Sequence, residues 1–294
     1  MVVHPLIVGL LLAAALMHAS WNALLKSDRS DRLATFGVIM TTGTVMGLCL
    51  VPFLPPIEPA AWKYLALSVA IHVLYYVFLL KAYSYGDLSH TYPIARGLGP
   101  LLVALVSGRL VGEYLRPQDI AGVVLLSIGL VALAIPLKSA VPRPGGRHGL
   151  ATLFAVLTGV TIAGYIIADG LGVRSAGPTF EHRLSYIAWL AVVEGPWLLV
   201  LAIILRPRTV WTHLRINWWR GVMGGVVANV GYGIAIYALV LGPMAHVAAL
   251  RETSVLFGAL MGTLLLGEPF GVRRVAAAAV IVGGLVLMNG PTVI

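Results

Sequence analysis

The chain alternates long apolar stretches with short polar connections, and the stretches are long enough to cross a membrane. A transmembrane helix needs about 20 apolar residues to cross roughly 30 Å of hydrocarbon. On that basis we predict ten spans, numbered 1 to 10 in chain order: residues 5–25, 33–54, 61–82, 89–110, 118–137, 149–169, 184–205, 218–240, 243–265 and 272–290. A membrane barrel would instead show segments of about ten residues with period-two alternation. The pattern therefore predicts an all-α polytopic membrane protein.

The second half of the chain repeats much of the pattern of the first half. With Arg96 aligned on Arg251, identical residues recur at one offset, at Leu101/Leu256, Leu110/Leu265, Gly112/Gly267, Glu113/Glu268 and Gly129/Gly284. Apolar matches are common in so apolar a chain, but matches of arginine, glycine and a Gly-Glu pair in the same order are not. We interpret the chain as two diverged copies of one unit.

Each copy contains five spans, and this number sets how the copies lie in the membrane. We assign residues 1–137 to the first repeat, residues 138–148 to a linker rich in Pro, Gly and basic residues, and residues 149–294 to the second repeat. Two copies of an odd number of helices lie upside down relative to each other. Inverted repeats are typical of alternating-access carriers, which bind substrate near the midplane. We therefore predict two inverted five-helix repeats around a central cavity.

Composition agrees with this class, because 59% of the residues are hydrophobic, 11% are charged and the mean hydropathy is +0.94. The formal charge of +9 is spread over many short loops, so we expect no nucleic-acid partner. Apart from Arg96 and Arg251, about 13 Lys and Arg follow odd-numbered spans and about five lie elsewhere. The positive-inside rule then predicts a multi-pass plasma (inner) membrane protein with both termini outside the cytoplasm.

The single cysteine, Cys49, lies within an apolar span. One cysteine excludes an intramolecular disulfide and a cysteine metal cluster. No GxxxxGK[ST] phosphate-binding pattern occurs, which argues against an ATPase. We expect no metal and no cofactor.

Several spans carry polar or aromatic side chains, which are costly in lipid unless they face protein or water. The candidates for substrate binding are Trp21, Asn22, His72, Tyr75, Tyr76, Tyr92, Arg96, Tyr165, Asn229, Tyr232, Arg251 and Glu252. The aromatic residues fit either a ligand-binding wall or ordinary helix packing. An arginine in a span fits either an ion pair with a carboxylate or an anchor for a substrate carboxylate.

Local signals predict three irregularities in the spans. Pro100 should kink span 4, because proline removes a helical hydrogen bond and clashes with the preceding turn. Gly195 and Pro196 predict a break in span 7. Two glycines, Gly231 and Gly233, suggest a loosened turn in span 8. In span 9, Arg251 and Glu252 point about 100° apart, so we expect one to pair across the halves while the other faces the cavity.

These residues resemble a known family, the EamA domain of the drug/metabolite transporter superfamily. The resemblance rests on Pro100, Gly112-Glu113, Gly122 and Gly129, repeated in part as Gly267-Glu268 and Gly284, and on the segment His18-Ala19-Ser20-Trp21-Asn22 with Lys26. This chain departs from the pattern at Val255, opposite Pro100, and at Ala277, opposite Gly122. The first departure puts a kink in span 9 in doubt.

The resemblance implies a ten-helix carrier whose cavity is lined mainly by spans 1, 3, 4, 6, 8 and 9. Members export amino acids and other small metabolites and are driven by ion or substrate gradients rather than by ATP. In general character the chain is similar to the YddG-type exporters of aromatic and other neutral amino acids. We expect a transporter rather than an enzyme, a monomer, and no partners other than a small-molecule substrate and the lipid bilayer.

Two alternatives to an amino-acid exporter stay open on the sequence. An exporter of another metabolite or an organic cation would depend on Glu252 or Asp169 more than on Arg96. An integral membrane transferase could use Asp28 and Asp31 as metal-binding carboxylates near the membrane surface. Because basic residues alternate with these two aspartates, a solvated charged loop is the favoured interpretation there.

Overall fold

The computed structural model describes residues 4–27, 32–86, 88–134, 148–266 and 272–290, and within these ranges the regular structure is helical. In chain order the α-helices are α1 (Pro5–Ser27), α2 (Arg32–Leu50), α3 (Pro59–Tyr85), α4 (Leu88–Val111), α5 (Pro117–Ala134), α6 (His148–Arg174), α7 (Phe180–Glu194), α8 (Pro196–Leu205), α9 (Pro207–Ile216), α10 (Trp218–Leu241), α11 (Met244–Arg251), α12 (Thr253–Leu266) and α13 (Val272–Asn289). A 3₁₀ turn, Val51–Phe53, follows α2.

Among the described residues, seven helical segments are long and apolar enough to cross a membrane. They are Pro5–Leu25, Leu33–Phe53, Pro59–Tyr85, Ile94–Val111, His148–Arg174, Phe180–Leu205 and Trp218–Leu241. Two shorter apolar helices, Pro117–Leu133 and Val275–Asn289, coincide with spans 5 and 10. The protein is therefore a membrane protein with several apolar helices, and the count of ten spans stays a prediction.

The distribution of polar side chains is the reverse of that in a water-soluble protein. Large apolar side chains are exposed on the outside, including Leu105 at 64% and Leu264 at 72%. Charged and polar side chains are buried inside, including Asp169 at 1% and Glu252 at 3%. An apolar exterior, with the charged groups of the spans buried inside, is the arrangement that a surrounding lipid phase favours.

The predicted break in span 7 is present between α7 and α8, at Gly195. Helix α2 comes so close here that a β-carbon on Gly195 would lie 2.3 Å from Thr44 Oγ1 and 2.6 Å from the Met40 carbonyl oxygen. Thr44 Oγ1 in turn donates a hydrogen bond to the Ala191 carbonyl oxygen at 3.2 Å. The glycine lets two helices approach closely, and Pro196 begins the next helix, as proline at the first helical position commonly does.

Span 9 contains a helix break, whereas the kink predicted at Pro100 in span 4 stays a prediction, because a kinked helix can be continuous. Helix α4 is continuous through Pro100, whereas span 9 is interrupted between α11 and α12 at Glu252. The last turn of α11 tightens, because the Glu252 amide donates to the Ala249 carbonyl oxygen at 3.1 Å. Thr253 Oγ1 donates to the Leu250 carbonyl oxygen at 2.7 Å and so satisfies a helix-terminal acceptor. This break needs no proline, so the departure at Val255 does not remove it.

The loosened turn predicted in span 8 is not observed. Helix α10 runs without interruption from Trp218 to Leu241. Gly231 instead allows α1 to approach, since a β-carbon there would lie 3.0 Å from Met17 Cβ. The glycine serves close helix packing rather than exposure of the backbone.

The two halves of the chain are interleaved rather than side by side. The most extensive helix contacts pair α3 with α6, α5 with α13, α4 with α6 and α1 with α10. Glycines make the crossing of α5 and α13 close: a β-carbon on Gly122 would lie 2.6 Å from the Gly284 carbonyl oxygen, and one on Gly129 would lie 2.7 Å from Ile281 Cγ1. Each half therefore depends on the other for its buried surface.

Some expectations fall on parts of the chain outside the described residues. They concern the loop residues Asp28 and Asp31, the linker 138–148 except His148, and the Gly267-Glu268 pair. The predicted repeat boundaries at 137 and 149 accordingly stay predictions.

The close crossing of α5 and α13 leads to a first prediction. Gly284→Ala places a methyl group where the Gly122 carbonyl oxygen and the Leu126 amide nitrogen lie 2.6 Å and 2.8 Å away. Overpacking of this kind costs about 1–3 kcal/mol. We expect a lower midpoint of thermal unfolding in detergent, measured by tryptophan fluorescence. Gly258→Ala is the matched control, because a β-carbon on Gly258 meets no atom within 4 Å. Equal midpoints for the two variants would contradict the close crossing.

Candidate functional site

Polar side chains from four helices meet around a small central cavity. Its walls come from α1, α4, α10 and α11, and its lining residues are Ala14, Ala15, His18, Arg96, Gly231, Tyr232, Ala235 and Arg251. The cavity volume is about 20 Å³, which is room for about one water molecule. A larger solute can occupy this position only when the surrounding helices move apart.

Arg96 is held at the edge of the cavity by groups at the break in span 9. Its Nε atom lies 2.9 Å from Glu252 Oε2, and its NH2 group donates to Ser254 Oγ at 3.2 Å. Both side chains of the ion pair are buried, with 11% and 4% exposed. A buried ion pair is strongly destabilised when one partner is removed, because the other charge is left uncompensated. Glu252 therefore anchors Arg96, and the pair ties α4 to the second half of the chain.

Arg251 points in a different direction from Glu252, as the 100° step between helix neighbours requires. Its guanidinium lies over the ring of Tyr232, 5.1 Å from the ring centroid, in a cation–π arrangement. Within the described ranges no ion pair joins Arg251 to a carboxylate. The structure thus brings both span arginines to the cavity, Arg96 paired with a carboxylate and Arg251 stacked on an aromatic ring.

A second polar cluster lies behind the Tyr232 side of the cavity. Tyr232 donates its hydroxyl to Asp169 Oδ2 at 2.7 Å, and Ser68 donates its hydroxyl to Asp169 Oδ1 at 2.5 Å. His72 joins the cluster with its Nε2 atom 3.2 Å from the Tyr232 oxygen and 3.7 Å from Glu194 Oε1. Three titratable side chains from α3, α6 and α7 are therefore buried together next to the cavity.

Aromatic rings fill the space around this cluster. The rings of His72 and Tyr165 stack with centroids 4.2 Å apart, and Tyr75 meets Tyr165 edge to face at 5.9 Å. Tyr76 donates its hydroxyl to Glu194 Oε1 at 2.7 Å. Nearer α4, Tyr92 lies under the Arg96 guanidinium at 6.0 Å. The aromatic side chains of α3, α4 and α6 thus pack around the charged groups rather than forming a separate wall.

Nine of the twelve predicted site residues lie outside the cavity lining. Six of them belong to the Arg96 ion pair, the cluster behind the cavity or the aromatic side chains around these groups, and the other three, Trp21, Asn22 and Asn229, do not. Trp21 stacks on Phe36 with centroids 5.7 Å apart. Asn22 is exposed and donates to the His18 carbonyl oxygen of its own helix at 2.7 Å. Asn229 donates to the carbonyl oxygens of Ile39 at 3.3 Å and Gly225 at 2.8 Å. Asn229 thus joins α10 to α2, which is a structural task.

Four residues of the two clusters were absent from the predicted site. His18 lines the cavity, and Ser68, Asp169 and Glu194 form the cluster behind it. A carboxylate in the middle of an apolar span is a signal in itself, and both Asp169 and Glu194 carry it. Ser68 carries no such signal, since isolated serines are common in membrane helices and bond to their own backbone.

The Gly112-Glu113 pair lies away from the cavity and caps a helix. Gly112 follows the end of α4 with φ of +75°, a left-handed conformation that glycine adopts without strain. Glu113 Oε2 accepts a hydrogen bond from the Met244 amide at 2.7 Å, at the N-terminus of α11. Its other oxygen pairs with Arg174 at 2.6 Å. A carboxylate at a helix N-terminus is favourable both as a hydrogen-bond acceptor and as a charge.

A second charged network lies at the start of α5. Arg116 donates from its NH2 group to Asp119 Oδ1 at 2.7 Å and to the Met288 carbonyl oxygen at 3.0 Å. The hydrogen bonds to Asp119 raise the pKa of the Arg116 guanidinium. Because Met288 belongs to α13, this network joins the ends of the two crossing helices.

The sequence profile of the EamA-like transporter family matches residues 5–135 and, a second time, residues 149–290. The chain belongs to the EamA-like transporter family. Members of this family are transporters, and the resemblance noted in the sequence is confirmed at that level. The motif glycines of this EamA chain have visible tasks, at a helix end for Gly112 and in close packing for Gly122, Gly129 and Gly284.

Two further comparisons show proteins that the chain resembles. A solved crystal structure superimposes with a TM-score of 0.70 at 19% sequence identity, over 96% of this chain and 94% of that one. At this identity the likeness concerns the fold. An uncharacterized protein of Pseudomonas aeruginosa is 30% identical over 188 residues, which are 64% of this chain and 60% of that protein. The match thus spans less than two thirds of that relative.

The ion pair at the cavity leads to a second prediction for this EamA-family protein. Glu252→Met leaves the Arg96 guanidinium buried without its carboxylate, which costs about 3–5 kcal/mol. We expect a large fall in the unfolding midpoint in detergent. The double variant Arg96→Met/Glu252→Met removes both charges and should recover most of the loss, because a buried pair replaced by apolar residues is often neutral. Additive losses in the double variant would count against the pairing.

Proposed function

We propose that the protein is a secondary carrier that exports amino acids, with Arg251 binding the substrate carboxylate at the central cavity. The observation that carries the proposal is the contrast between the two arginines at the cavity. Glu252 neutralises Arg96, whereas Arg251 lines the cavity, contacts the face of Tyr232 and has no ion-paired carboxylate among the described residues. A guanidinium fork matches the two oxygens of a carboxylate.

The rest of the lining suits a zwitterion of modest size. Aromatic faces such as that of Tyr232 attract an ammonium group and also accept an apolar side chain. The small residues Ala14, Ala15, Gly231 and Ala235 leave space for a side chain once the helices separate. These features support aromatic and other neutral amino acids, the substrates of the YddG-type exporters that the sequence resembles.

The alternative of an organic cation is less well supported by the charges at the cavity. Two guanidiniums line it, and Glu252, the carboxylate at its edge, is already paired with Arg96. Asp169 also has both oxygens occupied, by Ser68 and Tyr232. A cation would meet a net positive wall. An integral membrane transferase has no support beyond Asp28 and Asp31, and the family is one of transporters.

Alternating access by two inverted five-helix repeats is the mechanism we propose. In the two repeats α1 corresponds to α6, α3 to α10, and α4 to α12. The helix contacts support the mechanism because each has a counterpart under this correspondence: α3 with α6 matches α10 with α1, and α4 with α6 matches α12 with α1. Exchange of this kind is expected if spans 1 to 5 and 6 to 10 are related by a two-fold axis. The cavity of about 20 Å³ fits a conformation in which the site is closed around little or no solute.

The charge distribution over the loops supports a plasma (inner) membrane location with both termini outside the cytoplasm. In this orientation the Glu113 and Arg174 ion pair lies at the face away from the cytoplasm. We propose that the protein acts as a monomer, since each half already buries its helix faces against the other.

The proposal predicts selective loss of carboxylate recognition when Arg251 is neutralised. In proteoliposomes that contain only the purified protein, we expect saturable counterflow of a labelled neutral or aromatic amino acid. Competition by the amino acid should exceed competition by its carboxamide, which lacks the carboxylate charge. Arg251→Gln should weaken the apparent affinity for the amino acid by about 10- to 100-fold, because a hydrogen bond to a charged group contributes about 1.5–3 kcal/mol. The same variant should no longer distinguish the acid from the amide.

The matched control is Arg208→Gln, an exposed arginine in α9 that is not among the lining residues. It should keep both the affinity and the discrimination. If wild-type protein carries an amino acid and Arg251→Gln carries it with the same affinity, Arg251 is not part of the site. If wild-type protein moves no amino acid although it is folded, the substrate class is wrong.

A further inference from the structure

The cluster behind the cavity contains more acidic than basic groups, and its carboxylates form no ion pair with either cavity arginine. Asp169 and Glu194 are two carboxylates that share one histidine, His72. Within the described ranges, no lysine or arginine lies at ion-pair distance from either carboxylate. Burying one unpaired carboxylate is costly, and burying two is more so. A proton held in the cluster is therefore the natural counter-charge.

The hydrogen bonds around His72 indicate where that proton is held. Its Nδ1 atom lies 2.9 Å from the Ser68 carbonyl oxygen, which can only accept, so Nδ1 carries a hydrogen. Its Nε2 atom faces the Tyr232 oxygen and Glu194 Oε1. The Tyr232 hydrogen is donated to Asp169, so both groups that face Nε2 act as acceptors. The surroundings therefore fit a histidine with hydrogens on both nitrogens.

Loss of the proton disturbs the same hydrogen bonds. A neutral His72 with its hydrogen on Nδ1 presents a lone pair at Nε2 to the Tyr232 oxygen and to the Glu194 carboxylate. These contacts turn from attractive to repulsive, and the nearest group that can respond is the Tyr232 hydroxyl. Tyr232 lines the cavity, and its ring lies under the Arg251 guanidinium. Proton binding in the cluster and solute binding at Arg251 thus act on one side chain.

The cluster also joins helices of different halves. His72 and Ser68 belong to α3, Asp169 to α6 and Tyr232 to α10. Four other titratable or charged side chains contact a member of the cluster: Tyr76 from α3, Tyr165 from α6, Tyr186 from α7 and Arg251 from α11. Tyr75 from α3 and Arg96 from α4 lie beyond them, next to Tyr165. Movement of one half against the other changes these contacts, so the proton's affinity depends on conformation.

We propose that His72, Asp169 and Glu194 form the binding site of a coupling proton, and that the protein exchanges its solute for protons. The inference rests on the proposed carrier function and adds the driving ion. The proton enters from water on one side, is held at His72 against the two carboxylates, and leaves on the other side. Solute binding at Arg251 and proton binding at His72 both act on the Tyr232 side chain. The two binding events therefore compete, because each requires its own position of Tyr232.

The experiment uses purified protein in proteoliposomes with a pH-sensitive dye inside. Counterflow of labelled amino acid with the same pH inside and outside measures transport without proton coupling, because it needs no pH gradient. A pH gradient across the same vesicles then tests coupling. For one proton exchanged per neutral solute we expect about tenfold accumulation per unit of pH difference. Addition of solute to wild-type vesicles should also move protons, which the dye detects.

Asp169→Asn and His72→Gln are the test variants, and Glu181→Gln, an exposed carboxylate at the start of α7, is the control. We expect the test variants to lose gradient-driven accumulation and proton movement. The midpoint of thermal unfolding in detergent, measured by tryptophan fluorescence, shows whether each variant is folded. The control should behave as wild type. Gradient-driven accumulation that persists in both test variants overturns the proton site, and so does wild-type counterflow that a pH gradient leaves unchanged.

A readout without solute separates this inference from the proposed function. Infrared difference spectra of wild-type protein between an acidic and an alkaline buffer should show a change of buried imidazole and carboxyl bands. His72→Gln should abolish this change, and Glu181→Gln should keep it. If no amino acid is carried but the bands behave in this way, the substrate class fails and the proton site stands. Absence of the bands in wild-type protein overturns the site.

Discussion

A charge in the hydrocarbon of a bilayer requires a partner within the protein, and the ion pair of Arg96 with Glu252 meets this requirement at the centre of the fold. The pair connects α4 to the point where span 9 is interrupted. Because Glu252 is drawn toward Arg96, the preceding residue, Arg251, turns toward Tyr232 and the cavity. This one contact therefore sets the position of the cavity, of the Arg251 side chain and of the helix break.

The helices were largely predictable from the sequence, whereas their interruptions were only partly so. Apolar length alone located every segment that became a membrane helix, since length in hydrocarbon is a local property. The break at Gly195 and Pro196 was also local. Pro100 gave the same kind of signal, yet α4 continues through it, while the break in span 9 falls at Glu252. That break reflects an ion pair to a residue far away in the sequence, which local patterns do not contain.

The candidate site shows the same division. Residue types were informative, because polar groups in apolar spans have few tasks, and Arg96, Tyr232 and Arg251 do border the cavity. The hydrogen-bond partners of these residues were not predictable. The Asn229 amide suits a solute or a neighbouring backbone equally well, and only the packing of α10 against α2 gives it the Ile39 carbonyl oxygen as its partner. Family membership is shown by the matched profile, whereas solute and driving ion depend on geometry that no motif encodes.

Helix α11 gives a remote residue a way to influence the cavity. It is eight residues long, with Glu113 fixed to its first amide and Arg251 at its last position. At 1.5 Å per residue the two ends are roughly 12 Å apart. Helix α11 therefore connects the Glu113 side chain directly to the residue that carries the Arg251 guanidinium. Selection for a new solute could therefore act on the loop between α4 and α5 and leave every cavity residue unchanged.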